Sequence, residues 1–503
     1  MGEAYSTLAA VDLGSNSFRL EIARVVGDQI YPLDSLREPV RLAAGLTADK
    51  RLDQPSQERA LRCLRLFGER LRGLPPHAVR AVGTNTLRVA KNASAFLAAA
   101  QDALGFPIEV VAGREEARLI YLGVAHELPS SGEKRLVFDI GGGSTEFIVG
   151  RKLKPQKLES LYMGCVSWSR RFFPDGKLTK SAMKEAELAA HAELQTISTE
   201  FAAGNWDQAF GSSGTVRAIG DLLLECGFSQ DAITPDGLER LRSLILKAGD
   251  ARKLSLPGLR PDRVPVLPGG FAILNATVSA LGIKRLTPAN GAMREGVLYD
   301  LLGRFHRDDM RDVTVSQFMQ RYHVDPSQAK RVARLAGQLA GGLLDGLAAD
   351  AEVELQLLDW AARLHEVGLD VAHSGYHKHS AYILRYADMP GFSKMEQQRL
   401  SALVLAHRGS LRKMQGLLAA EVDIALALSL RVAALIYRSR RAHAAPAIHV
   451  RRGKNGFVVT APREWLEVNP LTARALEDEP REWKSLGVPV TVRWLDEPAV
   501  AAG

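Results

Sequence analysis

Cysteine is scarce in this chain: three residues in 503, Cys63, Cys165 and Cys226. An odd number in unrelated contexts, without metal-ligand spacing, argues against a disulfide framework and a cysteine-held zinc, and suits a reducing compartment. Long apolar runs are missing as well. The nearest, Ile424 to Tyr437, is interrupted by Ser429 and Arg431, so it reads as a buried helix rather than a transmembrane segment. No basic-then-apolar leader opens the sequence. Met1-Gly2 followed by Ser6 matches a myristoylation pattern formally, and we treat that match as chance. The expected location is cytoplasmic.

Apolar residues make up 46% of the chain. A polypeptide of this length exceeds what one core accommodates, so several domains are expected. The net charge of +8 and a pI near 9.3 favour a polyanionic partner. Charge alone does not choose among polyphosphate, nucleotide and nucleic acid.

An aspartate-led, glycine-rich turn occurs twice, as Asp12-Leu13-Gly14-Ser15-Asn16-Ser17 and as Asp139-Ile140-Gly141-Gly142-Gly143-Ser144-Thr145. Each follows an apolar run and leads into another, so each reads as strand, tight turn, strand. Glycine permits positive φ and lets backbone N–H groups approach an anion, hydroxyls add neutral donors, and the aspartate can hold a hydrated divalent cation. Either turn alone fits an ordinary hairpin; duplication of the whole unit favours a phosphate site.

Residues 7 to about 130 alternate strand and helix patterns: helix over Gln57–Leu71, strand over Ala78–Val82, helix over Ala93–Ala103, strand over Ile108–Val111. That alternation predicts an α/β domain with a largely parallel core. A second α/β unit starts at Leu136 and runs to about 306. Within it Gly211-Ser212-Ser213-Gly214-Thr215 turns from a strand near Ala209-Phe210 into a helix near Val216–Glu225, where backbone amides could form a third anion cradle. A serine-rich helix cap explains the same residues equally well. From about 307 long amphipathic helices follow, over Pro326–Leu347, Glu352–His365 and Ser393–His407. A small module begins near Ala445-Pro446, with strands over Ala447–Arg451, Gly456–Thr460 and Val488–Trp494. The expected boundaries are 1–131, 132–306, 307–444 and 445–503, with a disordered tail after Glu497.

Twin phosphate loops in twin α/β domains resemble the actin, sugar-kinase and heat-shock ATPase superfold. More specifically, Ala10–Phe18, Gly83-Thr84-Asn85-Thr86-Leu87-Arg88, Gly113–Ile120, Asp139–Glu146, Met163–Ser167, Gly211–Thr215, Arg294–Leu298 with Asp300, and Leu364–Leu369 are similar, in order and spacing, to the exopolyphosphatase and guanosine pentaphosphate phosphohydrolase (Ppx/GppA) family. The resemblance implies an α/β fold of two actin-like, ribonuclease H-like (ASKHA) domains, then an α-helical HD-like domain and a small α+β C-terminal domain. It also implies a homodimer.

Hydrolysing a terminal phosphoryl group needs an in-line water, a base and groups that stabilise the transferred oxygens. By resemblance Glu116 is the base, preferred to its neighbour Glu115, and Arg88 clamps phosphate. A glutamate pair also simply suits a helix N-terminus. The phosphate set is Gly14, Ser15, Asn16, Ser17, Arg88, Gly141, Gly142, Gly143, Ser144, Thr145, Gly211, Ser212, Ser213, Gly214 and Thr215. Asp139 and Glu146, seven positions apart, with Asp12 as a third carboxylate, are expected to hold Mg2+.

His365-Glu366, with His373, His377 and His379 behind it, resembles the metal-dependent His-Asp phosphohydrolases, but Glu replaces the Asp. The expectation is a non-catalytic domain extending a basic groove to which Arg170-Arg171, Lys284-Arg285, Lys378, Arg438-Ser439-Arg440-Arg441 and Arg451-Arg452 contribute. The expected activity is removal of terminal phosphate from inorganic polyphosphate. The alternatives are hydrolysis of guanosine pentaphosphate (pppGpp) to the tetraphosphate, a small-molecule kinase of the same superfold, and a non-catalytic polyanion sensor.

Overall fold

The computed structural model of the chain describes residues 7–26, 29–129, 132–305, 309–348, 350–418, 420–440, 445–454 and 456–496. The Met1-Gly2 pattern, Arg441 and the tail after Glu497 lie outside them. Two compact units are present, Met1–Met310 and Arg311–Gly503.

The first unit runs β1 (Thr7–Leu13), β2 (Phe18–Val26), β3 (Gln29–Glu38), α1 (Gln54–Leu71), β4 (Val79–Gly83), α2 (Asn85–Val89), α3 (Ala93–Leu104), β5 (Ile108–Val110) and α4 (Gly113–Glu127). A second meander follows, β6 (Lys134–Ile140), β7 (Thr145–Arg151) and β8 (Lys154–Leu161), then α5 (Cys165–Phe172), α6 (Lys180–Leu194), α7 (Ser198–Phe201), β9 (Gln208–Ser212), α8 (Ser213–Glu225), α9 (Pro235–Ala248), α10 (Leu267–Ala280), β10 (Leu286–Pro288) and α11 (Met293–Phe305).

Both sheets have one topology, β3-β2-β1-β4-β5 and β8-β7-β6-β9-β10. A tight turn can only return a strand antiparallel, whereas helical crossovers deliver parallel neighbours. Accordingly β1–β2, β2–β3, β6–β7 and β7–β8 are antiparallel, and β1–β4, β4–β5, β6–β9 and β9–β10 are parallel. The expected largely parallel core is thus a mixed one, because the glycine turn returns β2 and β7 antiparallel to β1 and β6, and β3 and β8 then pair antiparallel beyond them.

The central strands are buried on both faces, and alternation assigns each face to a different core. Along β1, Ala9, Val11 and Leu13 join one cluster with α1 and α3 residues such as Phe67 and Phe96, while Leu8 and Ala10 face a second. Along β6, Leu136, Phe138 and Ile140 pack with Phe271 and Leu222, while Val137 faces the same second cluster as Leu8. That shared cluster includes Leu119, Tyr121 and Val124 of α4 and Val297 and Leu301 of α11. The inner faces of both sheets therefore close on one helix pair, which fixes the ends of β1 and β6 relative to each other.

From Met310 the chain is helical: α12 (Met310–Arg321), α13 (Pro326–Gly341), α14 (Ala351–Leu364), α15 (Tyr376–Tyr386), α16 (Lys394–Ala406) and α17 (Glu421–Ile436). Asp325, Asp350 and Ser393 accept from the first-turn amides of α13, α14 and α16, the side-chain type and position expected of helix starts. Strands β11 (His449–Gly453) and β12 (Gly456–Pro462), helices α18 (Arg463–Glu467) and α19 (Pro470–Lys484), and β13 (Val490–Leu495) end the chain. Val450, Phe457 and Trp483 of this module share a single core with Trp360, Leu400 and Leu430 of the helices. Helix α17, the Ile424–Tyr437 segment, is buried within that core. Among the described residues no helix is long and apolar enough to cross a membrane.

Candidate active site

The two glycine turns meet at one cavity. Asp12, Gly14, Ser15, Asn16 and Ser17 line it together with Asp139, Gly141, Gly142 and Ser144, with Ser213, Gly214 and Thr215 at the start of α8, and with Glu116 on α4. Its volume of about 110 Å³ is several times the ~15 Å³ that one water requires. Arg88, Gly143, Thr145, Gly211, Ser212 and Glu146 stand behind this lining. The Thr145 hydroxyl donates to the Met163 carbonyl at 2.6 Å and that of Ser212 to the Gly291 carbonyl at 2.8 Å. Gly211 and Ser212 belong to β9.

The glycines serve close approach rather than unusual dihedrals. None of Gly14, Gly141, Gly142, Gly143, Gly211 or Gly214 has positive φ, contrary to the expectation from turn chemistry. A Cβ on Gly142 would stand 2.9 Å from Cβ of Ser15 and 3.2 Å from the Asn16 nitrogen, and one on Gly143 would stand 2.5 Å from Oδ1 of Asn85. Gly142 is therefore required by the first turn packed against it, and Gly143 by Asn85 of α2. Amides of α5 hold its carbonyls, Cys165 N–H donating to Gly141 at 2.9 Å and Val166 N–H to Gly142 at 3.0 Å. Planar trans peptides then direct the N–H groups of Gly142 and Gly143 the opposite way.

Positive φ occurs at Ser213 instead, at 89°, a strained conformation for a residue with a Cβ. Its hydroxyl accepts from the N–H groups of Thr215 and Val216 at 3.1 and 3.2 Å. Capping and cavity lining, offered as alternatives by the sequence, are thus both realised at this residue.

Glu116 occupies the first turn of α4 beside Glu115. Successive helical residues point about 100° apart, and the two carboxylates take different partners. Glu115 accepts from Arg118 Nε and Nη2, both at 2.8 Å, whereas Glu116 lines the cavity and accepts from Arg88 Nη1 at 2.6 Å. Arg88 also donates to the Val111 carbonyl at 3.0 Å. The expected phosphate clamp is therefore engaged with Glu116 and the backbone, and is absent from the cavity lining.

The register explains the local electrostatics. Asp12 stands opposite Arg19 across β1–β2, and Asp139 stands opposite Glu146 across β6–β7. Burial pushes the Asp12 carboxyl up to about 7, with Glu116 and Asp139 adding to the rise and Arg19 and Arg294 opposing it. Burial likewise raises Asp139 to about 6, and burial followed by Glu116 raises Glu146. Glu146 accepts from the Ser160 hydroxyl at 2.9 Å. Burial and then Arg294 lower the Arg19 guanidinium to about 10.

Four arginines, Arg19, Arg217, Arg263 and Arg294, also line the cavity; of these only Arg294 falls within a family-like motif of the sequence, and none was assigned a role. Arg19 could have been found by the spacing that joined Asp139 to Glu146, since it lies equally far beyond Asp12. Arg217 and Arg263 come from separate segments and carry no local signature. Cys165 also lines the cavity.

The donor set bears on a divalent cation. Asp12 Oδ1 is buried without a hydrogen-bond partner among the described residues, and carboxylates crowded beside one another and raised above their usual range suit a cation. Among the described residues no three His, Cys, Asp or Glu side chains converge closely enough to hold a metal by themselves. A cation there needs water and phosphate oxygens to complete its shell, as Mg2+ characteristically does.

In the helical unit His365 and His407 meet edge to face, 5.0 Å between centroids, and each directs Nδ1 at a carbonyl, of Ala362 and Val404 respectively, at 2.6 and 2.5 Å. Glu366 accepts from Arg440 at 2.5 Å, so a guanidinium holds the carboxylate that a metal would need. His377 is buried, with Nδ1 unpartnered among the described residues; burial, Lys413 and Arg408 push its imidazole down to about 4. Of the expected groove cations, Arg170 donates to the Ala43 and Leu46 carbonyls, Arg171 lies over Trp168 and Phe172, Arg285 pairs with Asp231 and Arg452 with Glu421. Lys284, Lys378, Arg438 and Arg451 are exposed.

Residues 21–305 match the family model described as the Ppx/GppA phosphatase family, and residues 310–480 match Ppx/GppA phosphatase, domain III. Among solved structures, an exopolyphosphatase from Cytophaga hutchinsonii is 23% identical with a TM-score of 0.53, over 59% of this chain and 98% of that one. The PPX-GPPA enzyme of Aquifex aeolicus is 25% identical with a TM-score of 0.50, over 58% and 98%. Two glycine turns closing on one cavity beside Glu116, in a fold shared with these structures and under family models that match residues 21–305 and 310–480, lead to one conclusion: the chain belongs to the Ppx/GppA phosphatase family.

Proposed function

We propose that this protein is an exopolyphosphatase, hydrolysing the terminal phosphoanhydride of inorganic polyphosphate to orthophosphate and a chain one unit shorter. The observation that carries the reading is the cavity itself: backbone and hydroxyl donors from three turns, four arginines and the carboxylates of Asp12, Glu116 and Asp139 surround a space of phosphate size. Its apolar lining is limited to Ile120, Ile140, Cys165, Ala292 and Met293 among the described residues, which suits a phosphate better than a base or sugar.

Donors of the two turns and the arginine side chains hold the terminal phosphate and stabilise charge on its oxygens. Glu116 accepts a proton from the attacking water; the water oxygen bonds to phosphorus as the bridging P–O bond breaks, and the departing chain keeps the electron pair. Arg88 orients the Glu116 carboxylate and passes to the phosphate as the substrate seats. Asp12, Asp139 and Glu146 would hold a hydrated Mg2+, which supplies charge neutralisation at the phosphate when bound.

The guanosine pentaphosphate reading is favoured by Tyr162, 69% exposed and near enough to Arg88 to influence its charge, a position from which an aromatic ring can stack on a base. By family resemblance we assign a homodimeric assembly and an HD-like helical unit. Orthophosphate release from long-chain polyphosphate is expected to exceed release from guanosine pentaphosphate, measured side by side as kcat/KM; the reverse preference overturns the assignment. Glu116→Gln is expected to lower kcat by roughly 10²–10⁴, the usual worth of a general base, with polyphosphate binding retained. Undiminished turnover removes Glu116 from the mechanism.

A further inference from the structure

A buried charge network that the hydrolytic scheme does not use joins Asp300 to the helix that carries Glu116. Asp300 on α11 is 8% exposed and Arg80 on β4 only 2%. Arg80 Nη1 donates to Asp300 Oδ2 at 2.6 Å and its Nη2 to Glu109 on β5 at 3.0 Å. Arg118 on α4 bridges Glu115 and the other oxygen of Asp300, and Arg304 lies 3.4 Å from Asp300. Burial alone would raise the Asp300 carboxyl, but Arg118, Arg80 and Arg304 hold it well below the usual carboxylate range.

Desolvating so many charges gains little stability over an apolar core of equal volume, yet it fixes geometry sharply. Arg118 is one turn along α4 from Glu115, whose neighbour Glu116 faces the cavity. Arg80 is on β4, and the chain leaving β4 passes through Thr84 directly into α2, which carries Arg88. Asp300 thus ties the helix carrying Glu116 to the strand that presents its partner Arg88. Farther along the same helix pair, glycines bring the backbones together: a Cβ on Gly296 would strike the Leu119 carbonyl, and one on Gly123 the Ala292 carbonyl.

We propose that Asp300, acting through Arg118 and Arg80, is a positioning residue that sets the Glu116–Arg88 pair for catalysis; this rests on the role given to Glu116 above. Asp300→Asn keeps the volume but removes the charge that both arginines share. Steady-state orthophosphate release from polyphosphate is expected to show kcat at least tenfold lower, KM within about twofold, and the acidic limb of the kcat/KM profile displaced, all measured well below the variant's own melting temperature. Arg118→Lys, which keeps the charge but loses the fork that spans Glu115 and Asp300, is expected to give the same split more mildly and serves where Asp300→Asn does not fold. A folded variant with kcat and pH profile unchanged overturns the proposal, as does loss that tracks only the fraction unfolded. If Glu116→Gln retains full turnover, the catalytic reading falls first; if Glu116→Gln is inactive while Asp300→Asn is fully active, the positioning role alone falls.

Discussion

Asp12 shows what an active site asks of a single residue. Its carboxyl is raised from an ordinary 3.8 to about 7 in the folded chain, so between those values the unfolded chain has released a proton that the folded one retains. The unfolded state then binds fewer protons, and stability falls as pH rises from about 4 to about 7. Asp139, raised to about 6, adds to the same fall over the lower part of that window. A shift of this size corresponds to on the order of 4 kcal/mol, less whatever cavity water returns by solvating the open oxygen. The metal-free protein is therefore expected to melt at lower temperature near pH 8 than near pH 5. Asp12→Asn should flatten that dependence and raise the melting temperature at alkaline pH while lowering activity, the trade expected of a residue kept for function. A variant less stable than the parent at alkaline pH would show that Asp12 is held ionised by partners. Half of this arrangement was legible in the sequence: the spacing named Asp139 and Glu146 together, whereas the equal spacing of Asp12 and Arg19 carried no carboxylate pair to draw notice, and the strand register shows the two pairs to be equivalent.

At the scale of elements, the duplicated turn was readable because strand-Asp-glycine-strand is a local pattern. The meeting of its two copies was not, since it depends on α4 and α11 packing between two sheets through residues as distant as Leu119 and Val297. The turn residues were identified correctly as turns for a reason that proved different: contact between loops, with the positive φ transferred to Ser213, a residue whose type gives no warning of it. This distinction can be tested at Gly142. Its φ is not positive, so a dihedral argument allows alanine, whereas the packing argument places the new methyl 2.9 Å from Ser15 and 3.2 Å from the Asn16 backbone. Gly142→Ala is expected to cost about 1–3 kcal/mol, as overpacking does, seen as a lowered urea midpoint with unchanged slope. It should also reduce turnover by displacing the first phosphate turn. A variant of full stability and activity would return the glycine to ordinary turn chemistry.

At the scale of the molecule, the two units have cores of their own, and solved relatives matched over 98% of their length correspond to only 59% of this chain. The family fold thus stands without everything this protein carries, and a Met1–Met310 fragment is expected to melt in one cooperative transition and to release orthophosphate from tripolyphosphate. The second unit concentrates positive charge: burial, Arg431 and Lys378 lower the Lys413 ammonium to about 8, and Arg408 lies over Tyr376. A long polyanion that engages such groups releases counterions as it binds, so its affinity falls with salt in proportion to the contacts made. For long-chain polyphosphate the whole protein should therefore show tighter binding and a steeper dependence of log KM on log salt than the fragment, with tripolyphosphate treated almost alike by both. Equal slopes on the long substrate would mean that the helical unit takes no part in holding the chain, and that its histidines and arginines balance one another for the sake of its own fold.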